Sequence, residues 1–341
     1  MIQTIYCFDF VYFFTFYLMN NLLNINDLSV SIGDLQITKE VSFDIQKGET
    51  LALVGESGCG KSITAHSILR LLPKSANVTG EINIDGKSVL DLNNKDLRSL
   101  RGNDVGMIFQ EPMTSLNPVF TIGNQMSESL RIHLNMSKRE ALERSIELLN
   151  AVGIPQPEMR VKDYPHQLSG GMRQRVMIAI AISCNPKLII ADEPTTALDV
   201  TIQAQILDLI IDLKRDHNTA MLLISHNLGV VYETSQKVCV MYLGRIVEVC
   251  ETKTLFTRPH HPYTKGLLNS TPMIGKDLKK QRLHTIPGDV PSFTEVPRGC
   301  RFNTRCEFAF DRCFQEEPDL SEVEPGHKSR CFLDKDIKKT L

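Results

Sequence analysis

The sequence has no tryptophan and only 7 tyrosines in 341 residues. This scarcity argues against a sugar-binding surface and against an aromatic belt at a membrane interface. The chain also has no excess of positive charge, because 38 Lys and Arg residues are balanced by 40 Asp and Glu residues. An overall field that would attract nucleic acid is therefore absent. Neither internal repeats nor low-complexity runs indicate a repetitive architecture.

The first 18 residues are rich in Phe and Tyr but contain no Lys or Arg. They lack both the positive region and the small-residue cleavage site of a signal peptide. The run is shorter than the ~20 apolar residues of a spanning helix and is interrupted by Asp9. We therefore predict that Met19 is the true start, and that residues 1–18 are a gene-model artefact or a disordered extension. A weak membrane-facing anchor is the alternative.

The composition of the whole chain is that of an ordinary globular protein, with 42% hydrophobic and 23% charged residues. The length predicts about two domains. The chain contains 9 cysteines together with a phosphate-loop motif. This combination indicates a reducing compartment and not a disulfide scaffold.

Four short motifs occur in a fixed order along the chain. The first matches the G-x-x-x-x-G-K-[ST] phosphate loop and consists of Gly55, Glu56, Ser57, Gly58, Cys59, Gly60, Lys61 and Ser62. The others are the segment Leu168, Ser169, Gly170, Gly171 and Met172, the pair Asp192 and Glu193, and the pair Ser225 and His226. Gln110 lies between the first two motifs. Such a series is much harder to obtain by chance than any one of its members.

The phosphate-loop motif lies in the context that it requires. An apolar run at 50–54 leads directly into the loop, and a helical pattern follows it as far as Leu72. The loop's N–H groups and the start of the helix can together surround a phosphate group. A Gly-rich turn with a surface lysine is the alternative, and the flanking strand and helix disfavour it. We interpret Cys59 as a small residue tolerated in the loop, with a reactive thiol as the alternative.

Two further apolar runs end in polar side chains. Asp192 and Glu193 follow the run at 188–191, and His226 follows the run at 221–224. The carboxyl ends of parallel strands meet at one edge of a sheet, so we expect these side chains beside the phosphate loop. Taken alone, the two acids could be a solvated pair and the histidine a satisfied polar residue.

The remaining pattern predicts the organisation of the chain. Alternating residues at 22–30 and 41–45 predict strands, and 238–249 predicts a hairpin that turns at Leu243–Arg245. Apolar residues recur at helical spacing from Thr121 to Leu149, which predicts an inserted helical subdomain. Beyond about Leu255, Pro and Cys become frequent and the periodicity is lost. We therefore expect a separate C-terminal appendage there.

The motifs together resemble those of the ATP-binding cassette (ABC) ATPases. The resemblance implies an α/β fold with a P-loop NTPase (RecA-like) core, an antiparallel β subdomain and an inserted helical subdomain at about 115–165. It implies a nucleotide-binding domain at 19–255 and a C-terminal extension of the oligopeptide-importer type at 256–341.

The resemblance also implies how the nucleotide is bound. Lys61 would contact the β- and γ-phosphates of ATP, while Ser62 and Asp192 would hold Mg²⁺. Gln110 would sense Mg²⁺ or water and relay this state to a membrane partner. Ile32 stands where the family usually stacks an aromatic ring on adenine. Aliphatic packing would then replace stacking and weaken the affinity or selectivity for the base.

Hydrolysis and partnership are implied in the same way. Glu193 would act as the general base on the attacking water, and His226 would contact the γ-phosphate. Ser169, Gly170, Gly171 and Met172 would form the signature that contacts ATP held by an opposite subunit, and Asp199 would belong to the D-loop. A second ATPase subunit, homologous or identical, is therefore implied.

Two further stretches resemble the oligopeptide and dipeptide importer branch of this family. They are the extension after Gln110 at 109–118 and the segment His260, His261, Pro262, Tyr263 and Thr264. They imply a peripheral ATPase on the cytoplasmic face of the inner membrane that energises uptake of peptides, or of a related solute such as nickel. The implied partners are two integral-membrane permease subunits and a periplasmic or extracellular solute-binding protein. No nucleic-acid partner is implied.

Four cysteines cluster near the C-terminus: Cys300, Cys306, Cys313 and Cys331. Four thiolates can ligate Zn²⁺ or an iron–sulfur cluster. Their spacing is not the compact C-x2-C of common zinc sites, so four free thiols remain an alternative, while the reducing compartment disfavours a disulfide. Some peptide-importer ATPases with such a tail resemble [4Fe–4S] proteins, and this resemblance favours iron–sulfur over zinc.

Two other functions stay open at the level of the sequence. A soluble ABC-type ATPase acting on nucleic acid or ribosomes usually carries two cassettes or a long coiled coil, and this chain has one cassette and neither addition. A redox-sensing regulatory ATPase would use the cysteine-containing tail as its sensor. An ultraviolet–visible spectrum of anaerobically purified protein discriminates that function from transport alone.

Overall fold

The computed structural model describes residues 21–195, 200–270 and 285–333. The predictions made for residues 1–18 and for Asp199 therefore lie outside the described residues.

An antiparallel sheet begins the described chain. Its strands are β1 (Asn21–Ile32), β2 (Leu35–Gln46), β4 (Ala76–Ile84) and β5 (Lys87–Ser88), in the order β2–β1–β4–β5. β1 pairs with β2 from Asn21↔Gln46 to Ile32↔Leu35. Alternate residues of these strands, such as Leu23 and Ile45, are buried against the rest of the protein. This alternation is the period-2 pattern of a half-buried sheet.

A mixed sheet of eight strands forms the core. Its strands are β3 (Thr50–Val54), β6 (Val105–Ile108), β7 (Leu188–Asp192), β8 (Ala220–Ile224), β9 (Lys237–Tyr242), β10 (Arg245–Glu251), β11 (Ser321–Glu324) and β12 (His327–Ser329). The order is β11–β12–β10–β9–β3–β8–β7–β6. The five strands from β9 to β6 are parallel. β3, β6, β7 and β8 are buried along their whole length, which explains their continuous apolar sequences.

Twelve α-helices lie within the described residues. They are α1 (Lys61–Ile68), α2 (Asn94–Ser99), α3 (Pro112–Ser115), α4 (Ile122–Leu134), α5 (Lys138–Ala151), α6 (Pro157–Arg160), α7 (Gly170–Ile182), α8 (Val200–His217), α9 (Leu228–Thr234), α10 (Thr252–Thr257), α11 (Pro262–Asn269) and α12 (Asp311–Gln315).

The helical insertion is built by α4 and α5. Thr121 caps the start of α4, and Ser137 with Glu140 forms a capping box at the start of α5. Buried residues such as Met126 and Leu149 then pack in one cluster with the apolar residues of α7. Helical periodicity and caps in the sequence therefore locate this part of the fold.

The C-terminal residues extend the core sheet. β12 pairs with β10 at Glu248↔Ser329 and Val249↔Lys328, and β11 continues the sheet beyond β12. Residues 321–329 therefore share the core sheet, in contrast to the separate appendage that the loss of periodicity led us to expect. Strand pairing between distant segments leaves no periodic signal in the sequence.

An aromatic cluster fastens the extension to β9. The ring of Tyr242 lies 4.7 Å from that of Tyr263 and 5.2 Å from that of Phe302, measured between centroids. In the described parts of the chain, no helix has the length and apolar character needed to cross a membrane.

Candidate active site

The phosphate loop joins the end of β3 to the start of α1. Gly60 precedes the helix with a φ of 105°, a backbone conformation that favours glycine. At Gly55, a Cβ atom would clash with the carbonyl oxygen of Met241. The loop can therefore turn tightly against the neighbouring strand β9 and direct its N–H groups inward.

Lys61 lies across the inside of the loop. Its ammonium group donates hydrogen bonds to the carbonyl oxygens of Gly55, at 2.9 Å, and Glu56, at 3.0 Å. The side chain is only 4% exposed. A buried positive charge is thus fixed inside the loop by two backbone carbonyl groups, where it can bind phosphate.

Cys59 is fully buried within the loop. Burial raises the pKa of its thiol above the ordinary value. The thiolate is the reactive form of cysteine, so the buried thiol favours the interpretation of Cys59 as a small residue tolerated in the loop over the reactive alternative.

Ser62 and Asp192 meet beside the loop. The Ser62 hydroxyl donates to Asp192 Oδ1 over 3.1 Å, and Asp192 is only 2% exposed. Burial raises the pKa of Asp192, while the hydrogen bond from Ser62 lowers it. Two hard oxygen ligands therefore lie together at the end of β7, and such oxygens are the ligands that Mg²⁺ prefers.

The ends of β6, β7 and β8 converge at the side chain of Glu193. Its Oε2 lies 3.1 Å from Gln110 Nε2, just after β6, and 3.4 Å from His226 Nδ1, just after β8. Glu193 has a φ of 47°, and its backbone N–H group donates a hydrogen bond to Ile224 O. The chain therefore turns sharply after β7 and holds this carboxylate at the carboxyl edge of the sheet, next to Asp192.

The segment 168–172 forms the start of α7. Ser169 is the N-cap and accepts a hydrogen bond from Met172 N–H over 3.3 Å. Gly170 is exposed, and a Cβ atom built there would meet no atom within 4 Å. Among the described residues no hydrogen bond joins this segment to the phosphate loop of the same chain. The structure therefore brings together the other three motifs and Gln110, and leaves the signature facing outward.

Ile32 lies half-buried at the tip of the β1–β2 hairpin, paired with Leu35. Further along β2, Ile37 and Thr38 reach the phosphate loop, because a Cβ atom on Gly60 would lie 3.1 Å from Thr38 Cγ2 and 3.4 Å from Ile37 O. Sequence reasoning did not single out these β2 residues. Their contact with the loop comes from the way the antiparallel sheet folds over the core sheet.

A second contact that sequence reasoning missed comes from the C-terminal extension. The hydroxyl of Tyr263 accepts the N–H of Glu56 over 2.8 Å. Arg305 pairs with the Glu56 carboxylate through both terminal nitrogens, at 2.8 and 3.3 Å. Tyr263 belongs to the His-Pro-Tyr segment, which was the one signal in the sequence that could have pointed to this contact.

The four C-terminal cysteines line one small cavity. Burial, and then the neighbouring Cys313 and Cys306, raise the pKa of Cys300 to about 11. Cys300, Cys306 and Cys313 form no disulfide bond. Residues that are up to 31 positions apart in sequence thus meet in the fold.

Comparison with known families identifies the cassette. The family model described as "ABC transporter" matches residues 38–196, and "Oligopeptide/dipeptide transporter, C-terminal region" matches residues 247–313. The oligopeptide transport ATP-binding protein AppD of Bacillus subtilis (strain 168) is 52% identical over 92% of this chain and 97% of its own length. The chain belongs to the ABC transporter family of ATP-binding proteins.

Other relatives and solved structures agree with this assignment. The dipeptide transport ATP-binding protein DppD of Escherichia coli (strain K12) is 46% identical over 91% of this chain and 96% of its own length. A dimeric, post-hydrolysis structure of an ATP-binding cassette bound to ADP and Pi matches with a TM-score of 0.61 and 27% identity, covering 67% of this chain and 98% of that one. The predicted fold class is confirmed, and the chain is an ATP-hydrolysing ABC subunit.

Proposed function

We propose that this ABC ATPase energises an importer of di- or oligopeptides. The observation that carries the proposal is the convergence of Gln110, Glu193 and His226 beside the Ser62–Asp192 pair and the phosphate loop. This arrangement supports ATP hydrolysis. The solute is inferred from the relatives named as oligopeptide and dipeptide transport ATP-binding proteins and from the match over residues 247–313.

Nucleotide binding rests on the loop and two oxygen ligands. Lys61 contacts the β- and γ-phosphates in place of the carbonyl oxygens of Gly55 and Glu56 that it contacts here. Ser62 and Asp192 hold Mg²⁺, with Gln110 beside them. When bound, Mg²⁺ neutralises charge on the phosphate oxygens. Ile32 packs against the base, where the aliphatic side chain gives less stacking than an aromatic ring.

Hydrolysis rests on Glu193. Its carboxylate takes a proton from the water that attacks the γ-phosphate, which is general-base catalysis. Gln110 Nε2 and His226 Nδ1 lie 3.1 and 3.4 Å from the same carboxylate oxygen and orient it. His226 contacts the γ-phosphate, and Gln110 senses Mg²⁺ or water. The reacting groups lie on three strand ends, so the sheet itself fixes their relative positions.

The outward-facing signature supports a site shared by two ATPase subunits. Ser169, together with Gly170, Gly171 and Met172, contacts the γ-phosphate held by the partner ATPase. By the same resemblance, Asp199 belongs to the D-loop. The partner is a homologous subunit or a second copy of this chain. The dimer docks on two permease subunits at the cytoplasmic face of the inner membrane, and a solute-binding protein delivers the peptide.

The C-terminal cysteines hold a [4Fe–4S] cluster in this proposal. All four line one apolar cavity, which fits a group that needs four thiolates and exclusion of water. Iron–sulfur is favoured over zinc by the resemblance of this tail to those of some peptide-importer ATPases that resemble [4Fe–4S] proteins.

The solute is tested in proteoliposomes that contain the ATPase, its permeases and its solute-binding protein. ATP hydrolysis and uptake are measured with a dipeptide, with longer peptides and with Ni²⁺. We expect peptides to stimulate both quantities and Ni²⁺ to stimulate neither. Stimulation by Ni²⁺ alone would keep the importer and overturn the peptide assignment. Hydrolysis and uptake that no solute stimulates would overturn the importer proposal itself.

A further inference from the structure

Three potential metal ligands, none of them part of an ATP-site motif, meet at the edge of the core sheet. They are His260, just before α11, Glu324 at the end of β11 and His327 at the start of β12. One ligand atom from each lies within 4.8 Å of the other two. His260 Nε2 is 3.9 Å from Glu324 Oε1, and the two imidazole rings meet edge to face with centroids 4.7 Å apart.

His327 contributes a buried nitrogen with no partner. The residue is 1% exposed, and within the described residues its Nδ1 atom makes no hydrogen bond. A buried polar atom left in this state costs about 1–3 kcal/mol. The cost is avoided if the atom binds a ligand. A cation is indicated because a ring nitrogen of His327 lies within 4.8 Å of ligand atoms of Glu324 and His260.

Glu248 fixes the chemical form of the His327 ring. This fully buried carboxylate accepts the backbone N–H groups of His260 and His261, at 2.7 and 2.9 Å, and faces His327 Nε2 at 2.7 Å. A carboxylate oxygen can only accept here, so Nε2 carries the proton. In the neutral ring, Nδ1 then presents a lone pair. A carboxylate behind a histidine is also the arrangement that orients and strengthens metal-ligating histidines.

We propose that His260, Glu324 and His327 form a binding site for a divalent transition metal of the zinc class. Two imidazoles and one carboxylate are a ligand set that Zn²⁺ takes in proteins, with the fourth position left to water. Mg²⁺ and Ca²⁺ prefer oxygen ligands and are disfavoured. Ligand atoms around tetrahedral Zn²⁺ lie roughly 3.3 Å apart, so the three side chains need only a small closure.

Arg258 is the group that opposes a cation. Its Nη1 lies 3.0 Å from Glu324 Oε2. The pairing uses one carboxylate oxygen and leaves Oε1 directed at His260. Because the Arg258 side chain is 63% exposed, it can swing into solvent without burying a charge. The site therefore exchanges a surface ion pair, which contributes little to stability, for a metal.

The site would join three distant parts of the chain. Glu248 lies in β10, His260 leads into α11, and Glu324 and His327 flank the turn between β11 and β12. A bound metal would fasten this terminal hairpin to the edge of the cassette sheet. It would do so with residues distinct from the four cysteines.

The test uses the full chain carrying Cys306→Ser and Cys313→Ser, so that metal bound by the C-terminal cysteines does not contribute to the measurement. Zn²⁺ affinity is measured by competition with a chromophoric chelator. We expect one equivalent to bind, and His260→Ala and Glu324→Gln each to weaken binding by at least about 10-fold, the lower end of the loss seen when only an outer-shell partner is removed. Both changes leave the buried pair of Glu248 and His327 intact.

Two further variants sharpen the result. Glu316→Gln is the matched control, because Glu316 also forms an ion pair with an arginine, Arg312, at 2.9 Å, and that pair does not include a histidine. The Zn²⁺ affinity of this variant should equal that of the parent. Arg258→Ala should bind Zn²⁺ several-fold more tightly, since it removes the opposing charge. Unchanged affinity in both His260→Ala and Glu324→Gln would overturn the proposal.

If the cysteine variant does not fold, Co²⁺ replaces Zn²⁺ in the wild-type chain. Thiolate ligands give Co²⁺ a near-ultraviolet charge-transfer band that imidazole and carboxylate ligands do not give. We expect visible Co²⁺ bands without that feature, and their loss in His260→Ala. Bands that appear only with the thiolate feature, and that survive His260→Ala, would contradict the site.

Discussion

At the scale of single residues, two basic side chains support the phosphate loop in different ways: one supplies charge, and the other holds the loop in position. Lys61 supplies a buried positive charge held by two backbone carbonyl groups. Arg305 supplies no contact to phosphate in the proposed mechanism, but its paired hydrogen bonds to Glu56 hold one side of the loop. The two residues therefore predict different consequences when each is removed.

Lys61→Ala should weaken ATP binding itself. A hydrogen bond to a charged group contributes about 1.5–3 kcal/mol, so we expect affinity measured calorimetrically with Mg²⁺ to fall roughly 10- to 100-fold. Lys74→Ala is the control, because Lys74 is an exposed lysine of the same chain. Equal ATP affinity in Lys61→Ala and the parent would refute the phosphate-loop assignment.

Arg305→Ala should also weaken ATP binding, although Arg305 lies far from the loop in sequence. The side chain is 6% exposed, so its loss leaves the Glu56 carboxylate partly buried and without its main partner. A penalty of about 1–2 kcal/mol on the loop corresponds to roughly 5- to 30-fold in affinity. The double variant Glu56→Gln with Arg305→Ala should recover most of the loss, because the orphaned charge is gone. No recovery would show that Arg305 acts through general stability and not through Glu56.

At the scale of elements, the sequence predicts best where a periodic pattern or a local motif exists. The hairpin expected at 238–249 is found as β9 and β10, and the strand before the phosphate loop is β3. The pairing of β12 with β10 was not predictable, since 79 positions separate the paired residues Val249 and Lys328 and nothing local specifies the register. The contacts of Tyr263 and Arg305 with Glu56 were missed for the same reason.

The cysteine-lined cavity predicts how the C-terminal extension is stabilised. Cys306→Ser with Cys313→Ser should remove bound iron from anaerobically purified protein. Metal binding contributes free energy to folding, so the melting temperature should fall by roughly 5–10 °C if a few kcal/mol are lost. ATP affinity should change little, because Arg305 and Tyr263 still contact Glu56. Wild-type protein from iron-replete cells with neither iron nor zinc would refute the metal centre and leave four thiols.

At the scale of the whole molecule, one chain contains two different parts of an ATP site that do not contact each other through hydrogen bonds among the described residues. Gln110, Glu193 and His226 converge on the chain's own phosphate loop, whereas Ser169 at the start of α7 makes no hydrogen bond to it among the described residues. In the proposed function, a second ATPase subunit completes each site. ATP binding then closes the dimer, closure moves the permeases, and hydrolysis by Glu193 resets the assembly.

The most direct measurement follows Glu193→Gln in the assembled complex. The amide fills the same space but cannot accept a proton, so ATP should still bind while hydrolysis falls roughly 10²- to 10⁴-fold. The complex should then retain ATP in a closed ATPase dimer, and peptide uptake into proteoliposomes should stop. Glu233→Gln, on the exposed face of α9, should hydrolyse and transport like the parent. Parental rates of hydrolysis and uptake in Glu193→Gln would contradict the account.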